Sequence, residues 1–442
     1  MNSPVPAARP RPRDANLQHK ILLVENSKLF QQMVGEALQT RLGLPVVHAS
    51  TLADARAAID SEGPFFLTLT GLVLADGNQE TIVDFFLSRK MPTVIVSGVY
   101  DEEVRQRILD RPIIDYVLKN APGAVDYLVW LVQRLERNGR ITALVVDDSA
   151  SARMQTGAAL ELFGFRVLLA ESGKQGLEML SKDSSIRLVI ADHQMPEMDG
   201  IEFTRRVRTN ISRDRLAIIG VSGAGRSSLV AQFLKNGAND FLHKPFSREE
   251  FFCRISQNVD NLELIGSLQD LATKDFLTGL ANRRHFFDRG EWLFEQARNA
   301  NRRLCVAMLD IDHFKRINDT FGHDGGDTAL RAVAACIAKF ARPQDLVARF
   351  GGEEFCVLAP DLGETEAEYF FEGMRARIEA LQITHEDRRI PITTSIGVCM
   401  GRRTTLHAML GEADRVLYLA KAGGRNRVEI AKAETAQPTP AA

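Results

Sequence analysis

The sequence predicts a multidomain α/β chain: two doubly wound parallel sheets in tandem, followed by an unrelated α+β domain. Three observations carry that expectation. From His19 onward, short apolar strand-like runs alternate with amphipathic helical stretches, the pattern of strands joined by crossover helices. The alternation repeats after about 120 residues: KILLVENS at Lys20–Ser27 matches TALVVDDS at Thr142–Ser149, PTVIVSG at Pro92–Gly98 matches LAIIGVSG at Leu216–Gly223, and IDYVLKN at Ile114–Asn120 matches NDFLHKP at Asn239–Pro245. After Phe251 a single helical run places Val259, Leu262, Ile265, Leu268 and Leu271 three or four apart, one apolar stripe suited to its own domain or to a second helix. The expected divisions are a tail over 1–18, a first domain over 19–138, a second over 139–258, a linker helix over 259–274, a third domain over 275–430 and a tail over 431–442.

Of the 442 residues, 45% are hydrophobic and 25% charged, enough to bury several cores. Lys plus Arg number 55 against 57 Asp plus Glu, so there is no polycationic footprint and no nucleic-acid polymer is expected as partner. No apolar run approaches the roughly 20 residues of a bilayer span, and Arg9, Arg11 and Arg13 stand among prolines where a signal peptide would be apolar. The expectation is a cytoplasmic protein without membrane insertion. Cys253, Cys305, Cys336, Cys356 and Cys399 show no paired spacing and read as reduced core thiols.

In the second copy Asp147 and Asp148 close the first strand, Asp192 the third, Ser222 the fourth and Lys244 the fifth. Functional groups of a parallel sheet gather at those carboxyl ends. Three carboxylates there make a hard-oxygen site for one divalent cation such as Mg2+. Lys244 and the Ser222 hydroxyl are placed to hold the oxygens of an added phosphoryl group, and Phe241 to repack in response. Residues 141 to about 257 resemble a response-regulator receiver domain, which has a flavodoxin-like doubly wound fold. The resemblance implies that Asp192 is the phosphoacceptor, that Asp147, Asp148 and Asp192 hold Mg2+, and that Ser222, Phe241 and Lys244 are the switch. It also implies a histidine kinase or phosphotransfer protein as donor.

The first copy has Glu25 and Asn26 where the second has two aspartates, and counting a similar loop back from Asn78 puts Gly71 at the phosphoacceptor position. Asp76 lies too close to the following helix to end the strand. Ser97 and Lys119 remain, so this copy reads as a degenerate receiver, an adaptor or dimerisation surface without the chemistry.

The third domain carries four motifs in order. DFLTGLANRR, Asp275–Arg284, has polar ends and a Thr-Gly turn able to fix how the helix enters the domain. The strand LCVAMLD ends on Asp310 and runs on as IDHFKRINDTFGHDGGD to Asp327; a strand-end carboxylate before a tight loop can hold a metal on triphosphate oxygens while loop N–H groups and Lys315 meet the phosphates. Asn318 and Asp327 suit a base edge, and an aspartate accepting from N–H groups favours guanine. ARFGGEEFCVLAP is a hairpin in which Gly351 and Gly352 allow a positive-φ turn and Glu353 offers a second metal ligand. In KAGGRN, Lys421 and Arg425 lie four apart near a helix end, placed to neutralise pyrophosphate.

Together these residues resemble the GGDEF family of diguanylate cyclases. The resemblance implies a homodimer in which each domain holds one GTP, joined to give cyclic di-GMP and pyrophosphate. It assigns two Mg2+ ions to Asp310, the Ile311 carbonyl and Glu353. It makes Glu353 the candidate general base and Lys315 the transition-state stabiliser, with His313 and Phe314 in the same phosphate-facing segment. Guanine falls to Asn318 and Asp327, the β and γ phosphates to Lys421 and Arg425. Arg342-Pro-Gln-Asp345 matches the family's R-x-x-D product-inhibition site, while the position of its secondary arginine falls on Gly373. A rival reading is an inactive receptor that binds cyclic di-GMP through Arg342 and Asp345; a mixed cyclic dinucleotide product is opposed by Asp327.

Overall fold

The structure, a computed structural model, describes residues 19–223, 227–401 and 403–431; the expected tail over 1–18 lies outside the described residues, as does that over 431–442 except for Ala431, which ends a strand instead. Two units result, one reaching to Leu264 and the other starting at Ile265.

The first unit holds both repeats. In the first, β1 (Ile21–Val24), α1 (Lys28–Leu42), β2 (Val46–Ala49), α2 (Leu52–Glu62), β3 (Leu67–Gly71), α3 (Gln79–Ser88), β4 (Thr93–Ser97), α4 (Glu102–Leu109), β5 (Asp115–Leu118) and α5 (Ala124–Asn138) build a parallel sheet in the order β2-β1-β3-β4-β5. The second has β6 (Thr142–Val146), α6 (Ala150–Leu162), β7 (Arg166–Ala170), α7 (Gly173–Lys182), β8 (Ile186–Asp192), α8 (Gly200–Arg208), β9 (Ala217–Ser222), α9 (Ser227–Lys235), β10 (Asp240–His243) and α10 (Arg248–Thr273), with its sheet in the same order, β7-β6-β8-β9-β10. This is the flavodoxin-like arrangement, twice. The central strands β1, β3, β4, β6 and β9 are buried throughout because crossover helices cover both faces. Helix starts are set by local caps: the Ser27, Thr51 and Ser149 side chains accept the N–H groups of Phe30, Asp54 and Ala152.

The two repeats share one continuous core. Phe163 stacks on Phe252 with ring centres 4.0 Å apart, and Asn138 donates to the Phe163 carbonyl at 2.8 Å. Arg134 of α5, only 2% exposed, pairs with Asp260 and Glu263 of α10 at 2.7 and 2.8 Å. Arg105 pairs with Glu249, and Arg248 donates to the Ile113 carbonyl at 3.1 Å. No break separates the second repeat from the expected linker: α10 is one helix from Arg248 to Thr273, because Phe251, Phe252, Ile255 and Val259 continue a single buried face. The apolar stripe divides accordingly. Val259 and Leu262 pack into the core of the first unit, whereas Ile265, Leu268 and Leu271 are exposed.

The second unit adds β11 (Ala281–Asn282), α11 (Arg283–Asn299), β12 (Leu304–Ile311), α12 (Phe314–Phe340), β13 (Leu346–Gly351), β14 (Glu354–Pro360), α13 (Glu364–Glu379), β15 (Ile383–His385), β16 (Arg388–Ile390), β17 (Thr394–Met400), α14 (Leu406–Ala422) and β18 (Val428–Ala431). A mixed sheet runs β11-β13-β14-β12-β17-β18, with β12 antiparallel to both neighbours. Alternation along β12 sends Cys305, Ala307, Leu309 and Ile311 to the core shared with α12 and α13, and Leu304, Val306 and Met308 to the core shared with α11 and α14. Cys305, Cys356 and Cys399 are buried as expected, but Cys253 is exposed because it falls on the outer side of α10. Among the described residues no helix is long and apolar enough to cross a membrane.

Gly397 decides how α14 sits on the sheet. A Cβ there would lie 2.2 Å from the Ala413 carbonyl oxygen and 2.3 Å from the Leu417 nitrogen, so backbone meets backbone with no flexible atom to give way. Gly397→Ala is expected to destabilise the second unit by about 3 kcal/mol, read as a lower urea midpoint; an unchanged midpoint would refute the close approach.

Candidate active site

The even-numbered face of β12 ends on Asp310, which is 7% exposed and accepts the Lys421 ammonium of α14 at 2.7 Å. Across the ladder Asp310 is directly opposite Glu354. The hairpin between β13 and β14 turns at Gly352, whose φ of 49° suits glycine, and the Glu353 carbonyl accepts the Ile311 N–H at 3.3 Å. Burial pushes the Asp310 carboxyl above its usual value; Lys421 opposes the rise, and the charges of Glu353 and Glu354 add to it. A buried carboxylate with two further acids beside it and one ammonium is short of positive charge, and its oxygen donors match a hard divalent cation. Among the described residues no three His, Cys, Asp or Glu side chains form a closed metal cage. Mg2+ needs none, since it is commonly held by one or two carboxylates with substrate phosphates filling the remaining positions.

After β12 the expected tight loop is two residues long. Only Asp312 and His313 intervene before α12 begins at Phe314, so Lys315 stands exposed in the first turn of a helix. At Gly322, with φ 73° and ψ 171°, α12 folds into two helices. That fold brings Asn318 back onto Gly326: a Cβ at Gly326 would lie 1.9 Å from Asn318 Oδ1. Asn318 is thus set against the residue that precedes Asp327, whose carboxylate lies 3.8 Å from the Arg331 guanidinium. Lys421 lies in the last turn of α14, but Arg425 is beyond the helix end in a left-handed conformation, φ 64°. The pair does not share a helix face as the four-residue spacing implied, because Gly423 and Gly424 end the helix first.

Three supporting contacts were not legible in the sequence. Asp312 is 5% exposed and accepts from Thr393 Oγ1, Ser395 Oγ and the Asn426 N–H at 2.8, 2.7 and 3.0 Å, tying the end of β12 to the KAGGRN turn. Asp275 pairs with Arg349 at 3.0 Å, and Arg349 also donates to the Gly352 carbonyl at 2.8 and 3.0 Å, so the DFLTGL segment braces the glycine hairpin. Glu354 faces Asp310 only through strand register. The single available signal was the run of acids in GGEEF. Arg342 and Asp345 do come together, but with each other: Asp345 accepts the Arg342 backbone N–H at 2.8 Å and Nη2 at 2.7 Å, and its side chain is fully buried.

In the second repeat Lys244 bridges Asp147 at 2.9 Å and Asp192 at 2.7 Å. Burial would lower the Lys244 pKa, but the two carboxylates outweigh it and hold the ammonium above its usual value. The remaining oxygens of Asp147 and Asp192 accept the Ser149 and Gln194 N–H groups at 2.9 and 2.7 Å. Asp148 is exposed at the rim, Ser222 is buried at the end of β9, and Phe241 is buried against Phe233. These acids again offer only oxygen donors, as Mg2+ requires.

The first repeat has no counterpart to Asp192. Gly71 pairs in register with Val96 as Asp192 does with Val221, so Gly71 occupies the equivalent strand end. Glu25, one methylene longer than aspartate, reaches Lys119 at 2.5 Å and fills the space over Gly71, where a Cβ would be 2.7 Å from Glu25 Oε2. Asp76 is committed elsewhere: it accepts the Leu52 and Ala53 N–H groups at 2.8 and 2.9 Å, and those bonds hold its carboxyl below its usual value.

Comparison with known proteins agrees with this geometry. The family model for the diguanylate cyclase GGDEF domain matches residues 272–427, and that for the response regulator receiver domain matches residues 143–256. The chain therefore carries a receiver domain and a GGDEF domain. It is 32% identical over 301 residues to the response regulator PleD of Caulobacter vibrioides, covering 66% of this chain and 65% of PleD. The chain thus spans about two-thirds of that relative's length. It is 40% identical over 161 residues to diguanylate cyclase DgcP of Pseudomonas aeruginosa, 36% of this chain and 24% of DgcP. A solved two-component response regulator with a GGDEF domain superposes with a TM-score of 0.51 at 38% identity, covering 55% of this chain and 99% of that one.

Because the Asp310 pKa is raised on folding, its ionised form costs stability. That contribution is favourable below the unfolded value near 3.8 and is lost as pH rises through the higher folded value. At pH 7 in metal-free buffer Asp310→Asn should therefore melt about 2–4 °C above the parent, the gap closing as the pH falls towards 4. A lower Tm would mean that the Lys421 pairing outweighs burial.

Proposed function

We propose that this protein is a phosphorylation-regulated diguanylate cyclase that condenses two GTP into cyclic di-GMP and pyrophosphate. The observation that carries the reading is the Asp310–Lys421 pair with Glu353 and Glu354 beside it, on a domain that also packs Asn318 against Gly326, the residue before Asp327. An acid-rich site under one ammonium suits a metal–triphosphate. The neighbouring amide and carboxylate suit the N1 and N2 donors of guanine, which adenine cannot supply together.

In this reading two domains of a homodimer face each other, each presenting one GTP. Asp310, the Ile311 carbonyl and Glu353 would hold two Mg2+ ions. Bound there, the metal supplies Lewis-acid polarisation of the α-phosphate and a lower pKa for the attacking hydroxyl. Glu353 takes the proton of the 3′-hydroxyl as that oxygen bonds to the α-phosphorus of the facing nucleotide. The bond from that phosphorus to pyrophosphate breaks, and two such steps close the ring. Lys315, exposed on the first turn of α12 after the exposed cap His313 and the core residue Phe314, bears on the charge developing at the phosphate. Lys421 serves Asp310 first and the β and γ phosphates second, with Arg425 as their outward partner.

Control falls to the middle domain. A histidine kinase or phosphotransfer protein of the cytoplasm would phosphorylate Asp192, with one Mg2+ held at Asp147, Asp148 and Asp192. Lys244 and Ser222 would take the new oxygens and Phe241 would repack. The exposed Ile265, Leu268 and Leu271 on α10 are the surface through which two chains would pair. The first domain would be a receiver retained as an adaptor, and Arg342 with Asp345 the product-inhibition site.

Purified protein incubated with GTP and Mg2+ should yield cyclic di-GMP, identified by mass, and Glu353→Gln should lower its rate at least about 100-fold. Beryllium fluoride should raise the rate in the parent and have no effect on Asp192→Asn. Stimulation persisting in that variant would sink the switch assignment. Because Gly71 offers no acceptor, Asp192→Asn should also incorporate no phosphate from a low-molecular-weight phosphodonor; residual labelling would place a second acceptor in the chain.

A further inference from the structure

The short hairpin of β15 and β16 carries none of the residues assigned above, yet it is packed on the fold in α12. Its register pairs Ile383 with Ile390 and His385 with Arg388. Side chains two apart on a strand share a face. His385 and Arg388 therefore continue the face on which Ile383 and Ile390, 4% and 0% exposed, enter the core shared with α12. Both residues of the turn, Glu386 and Asp387, are left-handed, with φ of 47° and 58°. Neither is the glycine or asparagine that such turns favour, so the tip keeps its shape through what it is packed against rather than through the turn's own preference.

What it is packed against is the residue before the break in α12. The Arg388 guanidinium lies 4.8 Å from the centre of the Phe321 ring, within the range of cation–π attraction. Phe321 is half-buried at the edge of the same core, and the next residue is Gly322, where α12 changes direction. Phe321 also abuts Gly325: a Cβ there would lie 2.5 Å from Phe321 Cβ and 3.4 Å from His385 Cδ2. Gly326, which follows, is the residue that Asn318 packs on. The contacts thus run from the hairpin tip through Phe321 and Gly325 to the backbone that sets Asn318 and leads into Asp327.

We propose that Arg388 is a positioning residue for guanine recognition: by holding Phe321 it fixes the segment from Asn318 to Asp327 in the form that reads the base, without itself touching the nucleotide. The proposal rests on the cyclase reading for the identity of that nucleotide.

3′-Deoxy-GTP has no hydroxyl with which to attack, so its affinity for the full-length protein in Mg2+ can be measured by calorimetry without turnover. Arg388→Ala should weaken it about fivefold, and Arg388→Lys, which keeps a cation over the ring, should restore most of the loss. Phe321→Leu keeps apolar bulk and removes the aromatic face, so it should weaken binding by a similar factor, and adding Arg388→Ala to it should cost nothing more. With GTP as substrate, Arg388→Ala should raise KM and leave kcat within about twofold of the parent. Unchanged affinity in Arg388→Ala would overturn the proposal, as would failure of Arg388→Lys to restore it or a parent that does not bind 3′-deoxy-GTP. Losses that multiply in the double variant would overturn it too, because Arg388 would then act on the nucleotide directly. Weakened binding in Arg388→Ala, in a protein whose parent makes no cyclic di-GMP from GTP, would leave the positioning role standing and defeat the cyclase reading. Product formation with unchanged affinity would do the reverse.

Discussion

An ammonium group set on a buried carboxylate at the carboxyl end of a strand recurs in all three domains: Lys119 on Glu25, Lys244 on Asp147 and Asp192, Lys421 on Asp310. A carboxylate taken out of water is tolerable only when paired, and removing the lysine from such a pair, which leaves the buried charge uncompensated, costs about 3–5 kcal/mol. The lysine therefore makes it possible to keep acids at these positions. Each pair also holds a negative oxygen at a fixed point on the rim of a sheet, where a cation or phosphate can meet it. The flanking strands, the strand end or helix that supplies the lysine and the loops that fill the rim are all arranged around that constraint.

The three sites differ in how much of this chemistry stays open. In the first domain Glu25 is 1% exposed and its extra methylene spends the reach of the carboxylate on Lys119, across a glycine that leaves nothing to modify. The pair is structural there. In the second, the same lysine serves two aspartates, and Asp192 is aligned on β9 one strand position before the buried Ser222. In the third, burial holds the Asp310 carboxyl above its usual value, with Lys421 opposing the rise and the charges of Glu353 and Glu354 adding to it. The gradient from closed to open follows side-chain length and the number of acids per lysine, on sheets whose backbones are alike in the first two cases.

Around the third site a further set of contacts fixes the parts that would touch a nucleotide. Arg349 joins Asp275 to the Gly352 carbonyl, so the segment that follows α10 also braces the hairpin bearing Glu353. Asp312, holding Thr393, Ser395 and the Asn426 N–H, fixes the turn after α14 to the end of β12. None of these groups needs to meet substrate to matter, because they set where Lys421 and Glu353 can be.

The sequence by itself determined the fold class and most of the site's residue types. Strand-helix alternation with a repeat identifies two doubly wound sheets because crossover helices bury both faces of a parallel sheet, and that burial is written as apolar runs. Alternation along LCVAMLD likewise put Asp310 at a strand end, and KILLVENS set against TALVVDDS exposed the lost aspartates at Glu25 and Asn26. What only the tertiary structure decided depends on contacts distant in sequence or on local backbone signs. α10 runs unbroken through the expected boundary because its buried face continues. Gly322 folds α12 so that Asn318 meets Gly326 beside Asp327, and Arg425 leaves the helix that holds Lys421. Asp345 is consumed by Arg342, and Asp76 caps α2. Side-chain type and periodicity are properties of the chain, whereas the partner each polar group finds is fixed only when strands and helices bring distant residues within hydrogen-bonding range.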